Sequence, residues 1–329
     1  MINVAINGFG RIGRTFFKLA SQNPNLKIVA VNDIAQGEVL AHLLKYDSIH
    51  SVSEKKVSFD AGNLHFGNLI VPLFHNSQII DNPWESLNVD VVLDCTGRYL
   101  TKEALQPHIA AGAKKVILSA PPNDDIKSVV IGVNHSVLTV DDTIISNASC
   151  TTNNAAPMLK VIDELCGVNS AYITTVHSYT SDQRLVDSPH KDFRRARAAA
   201  VSIIPTTTGA AKAISKIFPH LSGKLGGSGI RVPVSNGSLT DITCIVNNTA
   251  NVFDINKSFL EASQTSLKGI LEYTNDPIVS VDVIGNTSSC VFDSQLTSVL
   301  GNMVKIVGWY DNEMGYSSRL VDLICLIYK

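Results

Sequence analysis

Cys150 lies in a run of small polar residues, Ser146 to Asn154, that could carry nucleophilic chemistry. A short apolar strand pattern (Thr143 to Ser146) precedes it, and an apolar-periodic run through Pro157, Leu159, Val161 and Ile162 follows. Small polar residues between a strand and a helix read as an N-cap region. Cys150 would then occupy the first helical turn, where unpaired N–H groups and the helix dipole favour an anion. Such a position is expected to lower the thiol pKa and activate the sulfur. A buried structural cysteine is the plainer alternative. His177, directly after the strand pattern Ala171 to Val176, is the matching candidate base. A thiolate beside a base, given a nicotinamide hydride acceptor, would oxidise an aldehyde through a thiohemiacetal and a thioester. The Cys150 N–H and the His177 side chain would stabilise the developing oxyanion.

The hydride acceptor has its own signal at the N-terminus. Ile2 to Asn7 alternates as a strand, Gly8-Phe9-Gly10-Arg11-Ile12-Gly13 follows, and a helix pattern runs from about Arg14 to Ala20. Strand, G-x-G-x-x-G and helix together form a dinucleotide fingerprint. Gly8 permits the tight turn, Gly10 lets a pyrophosphate approach the backbone, and Gly13 lets helix and sheet pack closely. The helix N-terminus provides the anion site. A second strand, Leu26 to Val31, ends at Asn32-Asp33, where an acid would bond the ribose hydroxyls and repel a 2′-phosphate. NAD is therefore the expected cofactor.

Two further groups suggest phosphate. Ser149 and Thr151 flank the cysteine, while Thr208 and Gly209 precede a helix pattern at Ala210 to Phe218. Hydroxyls and a glycine at a helix start form an anion cradle, or else a plain threonine cap. Thr180 and Arg231 form a second candidate cradle. Two anion sites next to a thioester imply a phosphorylated substrate and phosphorolysis to an acyl phosphate.

The elements needed to position these groups are readable in outline. The 329 residues suggest two domains with a sizeable core. Helices are expected over residues 36 to 46 and Lys102 to Ala111, and buried parallel strands over Val89 to Asp94 and Lys115 to Leu118, with a β-rich stretch from Val57 to Phe74. Alternating strands and helices up to residue 149 predict a doubly wound Rossmann domain. Past Cys150, strands dominate, at Leu239 to Asn247, Ile278 to Ile284 and Val304 to Tyr310, with helices near Asp254 to Ser266 and Gly315 to Leu326. They predict an α+β catalytic domain over 150–312 with a largely antiparallel sheet, and a C-terminal helix, about 313–329, returning to the first domain. The irregular segment Ser178 to Ala200 carries Lys191, Asp192, Arg194, Arg195 and Arg197, either as a solvated face or as subunit contacts with one anion-site arginine.

Composition narrows the class. A net charge of -2 gives no general attraction to nucleic acid or acidic membranes. The six cysteines are scattered without metal-type spacing, which favours free thiols in a reducing compartment and predicts no metal site. Cys95, at a strand end, is assigned a packing role. No apolar run is long enough to span a bilayer, and no secretory signal is visible, so a cytoplasmic enzyme is expected.

Along almost its full length the chain resembles phosphorylating glyceraldehyde-3-phosphate dehydrogenase. The resemblance is carried by Ile6 to Arg14, Tyr46-Asp47-Ser48, Ser146 to Asn153, His177 to Thr180, Arg194 to Ala200, Ser202 to Lys212, Arg231-Val232-Pro233 and Trp309 to Ser317. It implies oxidation of D-glyceraldehyde 3-phosphate with NAD and inorganic phosphate to 1,3-bisphosphoglycerate. Cys150 would be the nucleophile and His177 its activator. Arg11, Ile12, Asp33, Ser119 and Asn312 match cofactor positions. Ser149, Thr151, Thr208 and Gly209 match the inorganic-phosphate side, Thr180 and Arg231 the substrate-phosphate side, and Arg195 an anion-site arginine. The resemblance also implies a homotetramer in which Ser178 to Ala200 borders a neighbour's cofactor site.

The chain departs from the family pattern in places. Asn154 replaces a second cysteine often found four residues after the nucleophile, and Ser188-Pro189 stands where Leu-Pro is common in NAD-using members. No adenine contact is carried to His75-Asn76-Ser77. Erythrose-4-phosphate dehydrogenase and a catalytically idle binding or adhesive relative are the alternatives. Ser178-Tyr179-Thr180 favours the triose phosphate over the former, and retention of both Cys150 and His177 disfavours the latter.

Overall fold

The computed structural model describes residues 1–328, which fall into two compact units. The first comprises Met1–Val129, Ser136–Ala148 and the C-terminal segment from Ser317; the second comprises Val130–His135 and Ser149–Tyr316. None of the described helices is long and apolar enough to cross a membrane.

The first unit is built on a nine-stranded sheet. Its strands run, from one edge to the other, Lys127–Ser128, Ile144–Ser146, Lys115–Leu118, Val91–Asp94, Ile2–Asn7, Leu26–Asn32, Leu69–Phe74, Asn63–Phe66 and Val57–Asp60. Pairing is parallel as far as Leu69–Phe74 and antiparallel in the last two steps. Val91–Asp94 is buried throughout, as a parallel strand covered on both faces must be. Strand order reverses at Ile2–Asn7, which lies between the second strand and Val91–Asp94. Open α/β sheets form their ligand crevice at such a point, outside the carboxyl ends of the strands. Ala5, Ala30, Trp84, Val89, Val92 and Ala113 form one core cluster; Leu105, Val116, Leu118, Ile126 and Ile144 form another.

The second unit holds an eight-stranded sheet, mostly antiparallel. Its main path runs Ile204–Thr206, Leu225–Val232, Val168–Ser178, Ser238–Val246, Met303–Tyr310, Cys290–Asp293 and Leu271–Thr274. Two pairings depart from the antiparallel rule: Val168–Ser178 with Leu225–Val232, and Leu271–Thr274 with Cys290–Asp293. The Cys150–Cys166 helix packs on this sheet where Gly308 leaves room. A Cβ there would sit 2.6 Å from both Met158 and Cys290 sulfurs, so a larger residue would lift the helix.

Two expected elements differ. Ile278 to Ile284 is not a strand; Ser280–Val283 forms a short 3-10 helix, closed by the Asp282 carboxylate accepting from the Val279 N–H at 2.7 Å. The strand leading to His177 is longer than its apolar pattern, running Val168–Ser178, so His177 lies inside it.

Candidate active site and dinucleotide cleft

The Cys150–Cys166 helix begins as a helix with a serine cap should. Ser149 is extended (φ -118°) and its hydroxyl accepts from the Thr152 N–H at 3.1 Å. Cys150 is the first helical residue. Ala148, just before the cap, takes a left-handed φ of 56°, a strained conformation for alanine that turns the chain sharply into the helix.

Alternation along Val168–Ser178 places Thr175 and His177 on one sheet face. His177 Nε2 comes within 3.5 Å of Cys150 Sγ. The backbone N–H groups of Cys150 and Thr151 and the Thr151 hydroxyl also turn toward the sulfur. Burial nevertheless pushes the Cys150 thiol up, outweighing the downward pull of Arg231 and of those donors. The expected lowering by the helix terminus is thus overturned: the donors act in the anticipated direction, but removal from water wins. Burial first, then the Arg231 charge, lowers His177 to about 3, so its imidazole is neutral near pH 7.

Arg231 is the register partner of His177 across the parallel pair of strands. Its Nη1 lies 2.7 Å from His177 Nδ1 and 2.9 Å from the Ser178 carbonyl oxygen. Ile204–Thr206 pairs beside it, matching Ile204 to Arg231 and Thr206 to Gly229. The Thr206–Gly209 turn therefore lies along the arginine's strand. Gly209 caps the Ala210–Ile217 helix, and the Thr208 hydroxyl accepts from the Ala210 N–H at 3.2 Å. Arg195 joins this turn through Thr206 Oγ1 at 2.9 Å and the Thr207 carbonyl at 3.4 Å, with Asp182 as its carboxylate partner at 2.5 Å. Thr180 follows in the loop, its N–H donating to Gln183 Oε1 at 3.3 Å.

Three residues of this unit escaped the sequence reading. Tyr310 is buried with its hydroxyl 3.0 Å from Thr151 Oγ1 and 3.1 Å from Thr175 Oγ1, and its ring meets His177 edge-on. It ties the cysteine's helix to the histidine's strand. Asn154, noted only as an absent cysteine, donates to the carbonyls of Ser289 and Trp309 at 3.3 and 3.2 Å, anchoring that helix to the sheet. Asp182, the carboxylate partner of Arg195, was not singled out from the sequence at all. Asn312 accepts from Ser178 and Ser238 hydroxyls at 2.8 and 2.9 Å, which fixes its amide with the NH2 group turned away from them.

The first unit gathers the remaining candidates. A cleft of about 250 Å³ is lined by Gly8, Gly10, Asp33, Asn76, Cys95, Thr96 and neighbours, at the strand-order reversal. Gly8 has φ +92° and a Cβ on it would strike Cys95 and Thr96 backbone at 2.8 Å. Nothing stands within 4 Å of a Cβ placed on Gly10, so the backbone there is open to a ligand. A Cβ on Gly13 would lie 2.2 Å from the Gly8 carbonyl oxygen, which only glycine avoids.

Asp33 is held in the cleft by the N–H groups of Phe9 (2.7 Å) and Ala35 (2.9 Å). Arg11 and Ile12 open the Arg11–Ala20 helix. Arg11 pairs with Asp47 at 2.8 Å; burial opposes charge on Asp47, but hydrogen bonds from His50, Arg11 and the backbone hold it well below the usual carboxylate range. Ser119 follows Lys115–Leu118 and hydrogen-bonds Cys95, whose thiol burial pushes up to about 12. Asn76 and Ser77 line the cleft, although no contact had been assigned to them. The turn, the open backbone, the helix start and the acid fit a dinucleotide. Among the described residues no group of three or more His, Cys, Asp or Glu could hold a metal ion.

A Rossmann unit with this cleft, together with a thiol–imidazole pair in an α+β unit, defines the NAD-dependent oxidoreductases that act through a cysteine. Residues 2–102 match the family model described as glyceraldehyde 3-phosphate dehydrogenase, NAD binding domain, and residues 149–312 match that of its C-terminal domain. The chain is 49% identical to glyceraldehyde-3-phosphate dehydrogenase 2 of Streptomyces avermitilis, covering 99% of this chain and 98% of that protein. It is also 49% identical to glyceraldehyde-3-phosphate dehydrogenase of Mycobacterium avium, covering 100% and 99%. With glyceraldehyde-3-phosphate dehydrogenase 1 of Bacillus subtilis it shares 46% identity over 100% and 98%. The chain belongs to the glyceraldehyde-3-phosphate dehydrogenase family.

Proposed function

We propose that this protein oxidises D-glyceraldehyde 3-phosphate to 1,3-bisphosphoglycerate, with NAD and inorganic phosphate, through a thioester on Cys150. The observation that carries the mechanism is the 3.5 Å approach of Cys150 Sγ and His177 Nε2 at the head of a helix, with Arg231 beside them.

NAD, held by Gly8, Gly10, Arg11, Ile12, Gly13, Asp33, Ser119 and Asn312, supplies a hydride acceptor when bound. Cys150 Sγ adds to the aldehyde carbon while His177 Nε2 takes the thiol proton and returns it to the new alkoxide. The Cys150 N–H stabilises that oxygen while it is negative. His177 then removes the hydroxyl proton as hydride departs, leaving a thioester. A phosphate oxygen held by Ser149, Thr151, Thr208 and Gly209 attacks the acyl carbon, the C–S bond breaks, and the thiol recovers its proton. Thr180 and Arg231 hold the substrate's own phosphate, with Arg195 contributing charge beside Thr206 and Thr207.

The same reading assigns a homotetramer in a reducing, cytoplasmic setting, supported by the six free cysteines and by exposed apolar residues in the Ser178–Ala200 segment and just beyond it. It also assigns domains at 1–149 and 150–312, with the C-terminal helix completing the first. NAD reduction measured with glyceraldehyde 3-phosphate, with erythrose 4-phosphate and with no inorganic phosphate tests the assignment. Phosphate-dependent turnover of the triose phosphate is expected. Preference for the tetrose, or no turnover with either, would overturn it.

A further inference from the structure

For His177 to take a proton from Cys150, Nε2 must present a lone pair, and that is decided at the opposite nitrogen. A neutral imidazole carries one proton, on Nδ1 or on Nε2. His177 and Arg231 are register partners on adjacent parallel strands, so both side chains leave the same face of the sheet. There, three atoms form a triangle. Arg231 Nη1 lies 2.7 Å from His177 Nδ1 and 2.9 Å from the Ser178 carbonyl oxygen, and Nδ1 lies 2.8 Å from that same oxygen.

The triangle cannot satisfy all three sides. A guanidinium nitrogen only donates, and a carbonyl oxygen only accepts. With its proton on Nδ1, His177 bonds the Ser178 oxygen but confronts the Arg231 donor. With a lone pair on Nδ1, it accepts from Arg231 but confronts the carbonyl, and its proton sits on Nε2, facing the sulfur. Only the first arrangement can accept the thiol proton.

We propose that Arg231 sets the tautomer of His177, and that the phosphate group of a bound aldehyde releases the base by drawing the guanidinium away from Nδ1. Nδ1–H then donates to the Ser178 oxygen without opposition, and the Nε2 lone pair turns to Cys150. Arg231 is thereby a positioning residue for the base as well as a phosphate ligand. Recognition of a group remote from the reacting carbon is converted into turnover and not only into binding. This rests on the assignment of Arg231 to the substrate phosphate.

The test is nitrogen NMR of the full chain carrying 15N-histidine, with sn-glycerol 3-phosphate as a phosphate-bearing probe that has no aldehyde to oxidise. Without the probe, His177 is expected as the Nε2–H tautomer; at saturation it should convert to Nδ1–H. Arg231→Ala should show Nδ1–H with no probe. Its kcat on unphosphorylated glyceraldehyde should rise roughly fivefold, the population shift that one hydrogen bond commands, while its KM for the aldehyde phosphate increases. The same tautomer in the wild type with and without probe overturns the proposal, as does a fall in the variant's kcat on unphosphorylated glyceraldehyde. Equal binding of the probe to wild type and variant overturns the phosphate assignment and the substrate's part in the switch. In that case the ligand-free spectra of the two proteins still decide whether Arg231 holds the proton on Nε2.

Discussion

At neutral pH the two groups 3.5 Å apart at the head of the Cys150–Cys166 helix are both uncharged, because burial pushes the thiol up and holds the imidazole at about 3. In the proposed mechanism, proton transfer from Cys150 to His177 would then accompany addition of the sulfur. Cys150→Ser should abolish aldehyde oxidation while NAD binding, followed by titration, stays within about twofold of wild type, because the fingerprint residues lie in the other unit; twofold is only about 0.4 kcal/mol. Turnover in that variant would remove the covalent route. His177 also makes a stability prediction. Its pKa falls from about 6.5 when unfolded to about 3 when folded. Between these values the unfolded chain takes up a proton that the folded chain refuses, so stability is intact above pH 6.5 and is lost as pH falls through that window. The slope from this group alone is at most about 1.4 kcal/mol per pH unit. Denaturant titrations from pH 7 to pH 4 should show His177→Asn losing stability less steeply than wild type. Parallel slopes would mean that His177 protonates freely in the fold.

At the scale of elements, much of the arrangement is legible in the chain because local patterns and local chemistry agree. The Gly8–Gly13 run predicts a strand, a turn and a helix start, and the structure gives each glycine a distinct steric reason. The Ser149 cap and the first-turn position of Cys150 were readable for the same cause. What could not be read depends on partners distant in sequence. The parallel register that faces His177 with Arg231 joins residues 54 positions apart, and no periodicity announces it. Tyr310 reaches Thr151 across a separation of 159. Ile278 to Ile284 has strand-like composition, yet Asp282 closes a local turn that wins over the ladder. Gly13→Ala tests the legible part. With the Gly8 oxygen 2.2 Å from the added methyl, the helix or the turn must shift, at about 1–3 kcal/mol of stability. Urea titration should show that loss together with weaker NAD binding. Unchanged values for both would show that the helix is not packed as closely as its glycine implies.

At the scale of the whole molecule, the apolar residues that the fold leaves uncovered argue for assembly. Phe193 is 87% exposed, Val201 80%, Leu185 76%, Val186 72% and Ile203 70%, and all lie between Leu185 and Ile203. Scattered exposed apolar side chains are ordinary, but this many within one short segment is a candidate contact surface. The segment holds itself in shape without a partner: Arg197 pairs with Asp187 at 2.9 Å, the Ala198 N–H donates to the same carboxylate at 3.0 Å, and Ser188 N–H donates to the Ala196 carbonyl at 3.0 Å. A loop ordered by its own polar groups while presenting phenylalanine and valine to water is where the proposed homotetramer would place a second copy of the chain. Burying the Phe193 and Val201 side chains in an interface would contribute on the order of 1.5–3 kcal/mol each. Phe193→Asp should leave the protomer folded, since the side chain is in contact with solvent, but should weaken assembly by removing apolar burial and placing a charge in the interface. Sedimentation velocity should show a tetramer for the wild type and smaller species for the variant at the same concentration. A variant that sediments as wild type would mean that this segment stays in water, and the interface would have to be sought on another face of the protein.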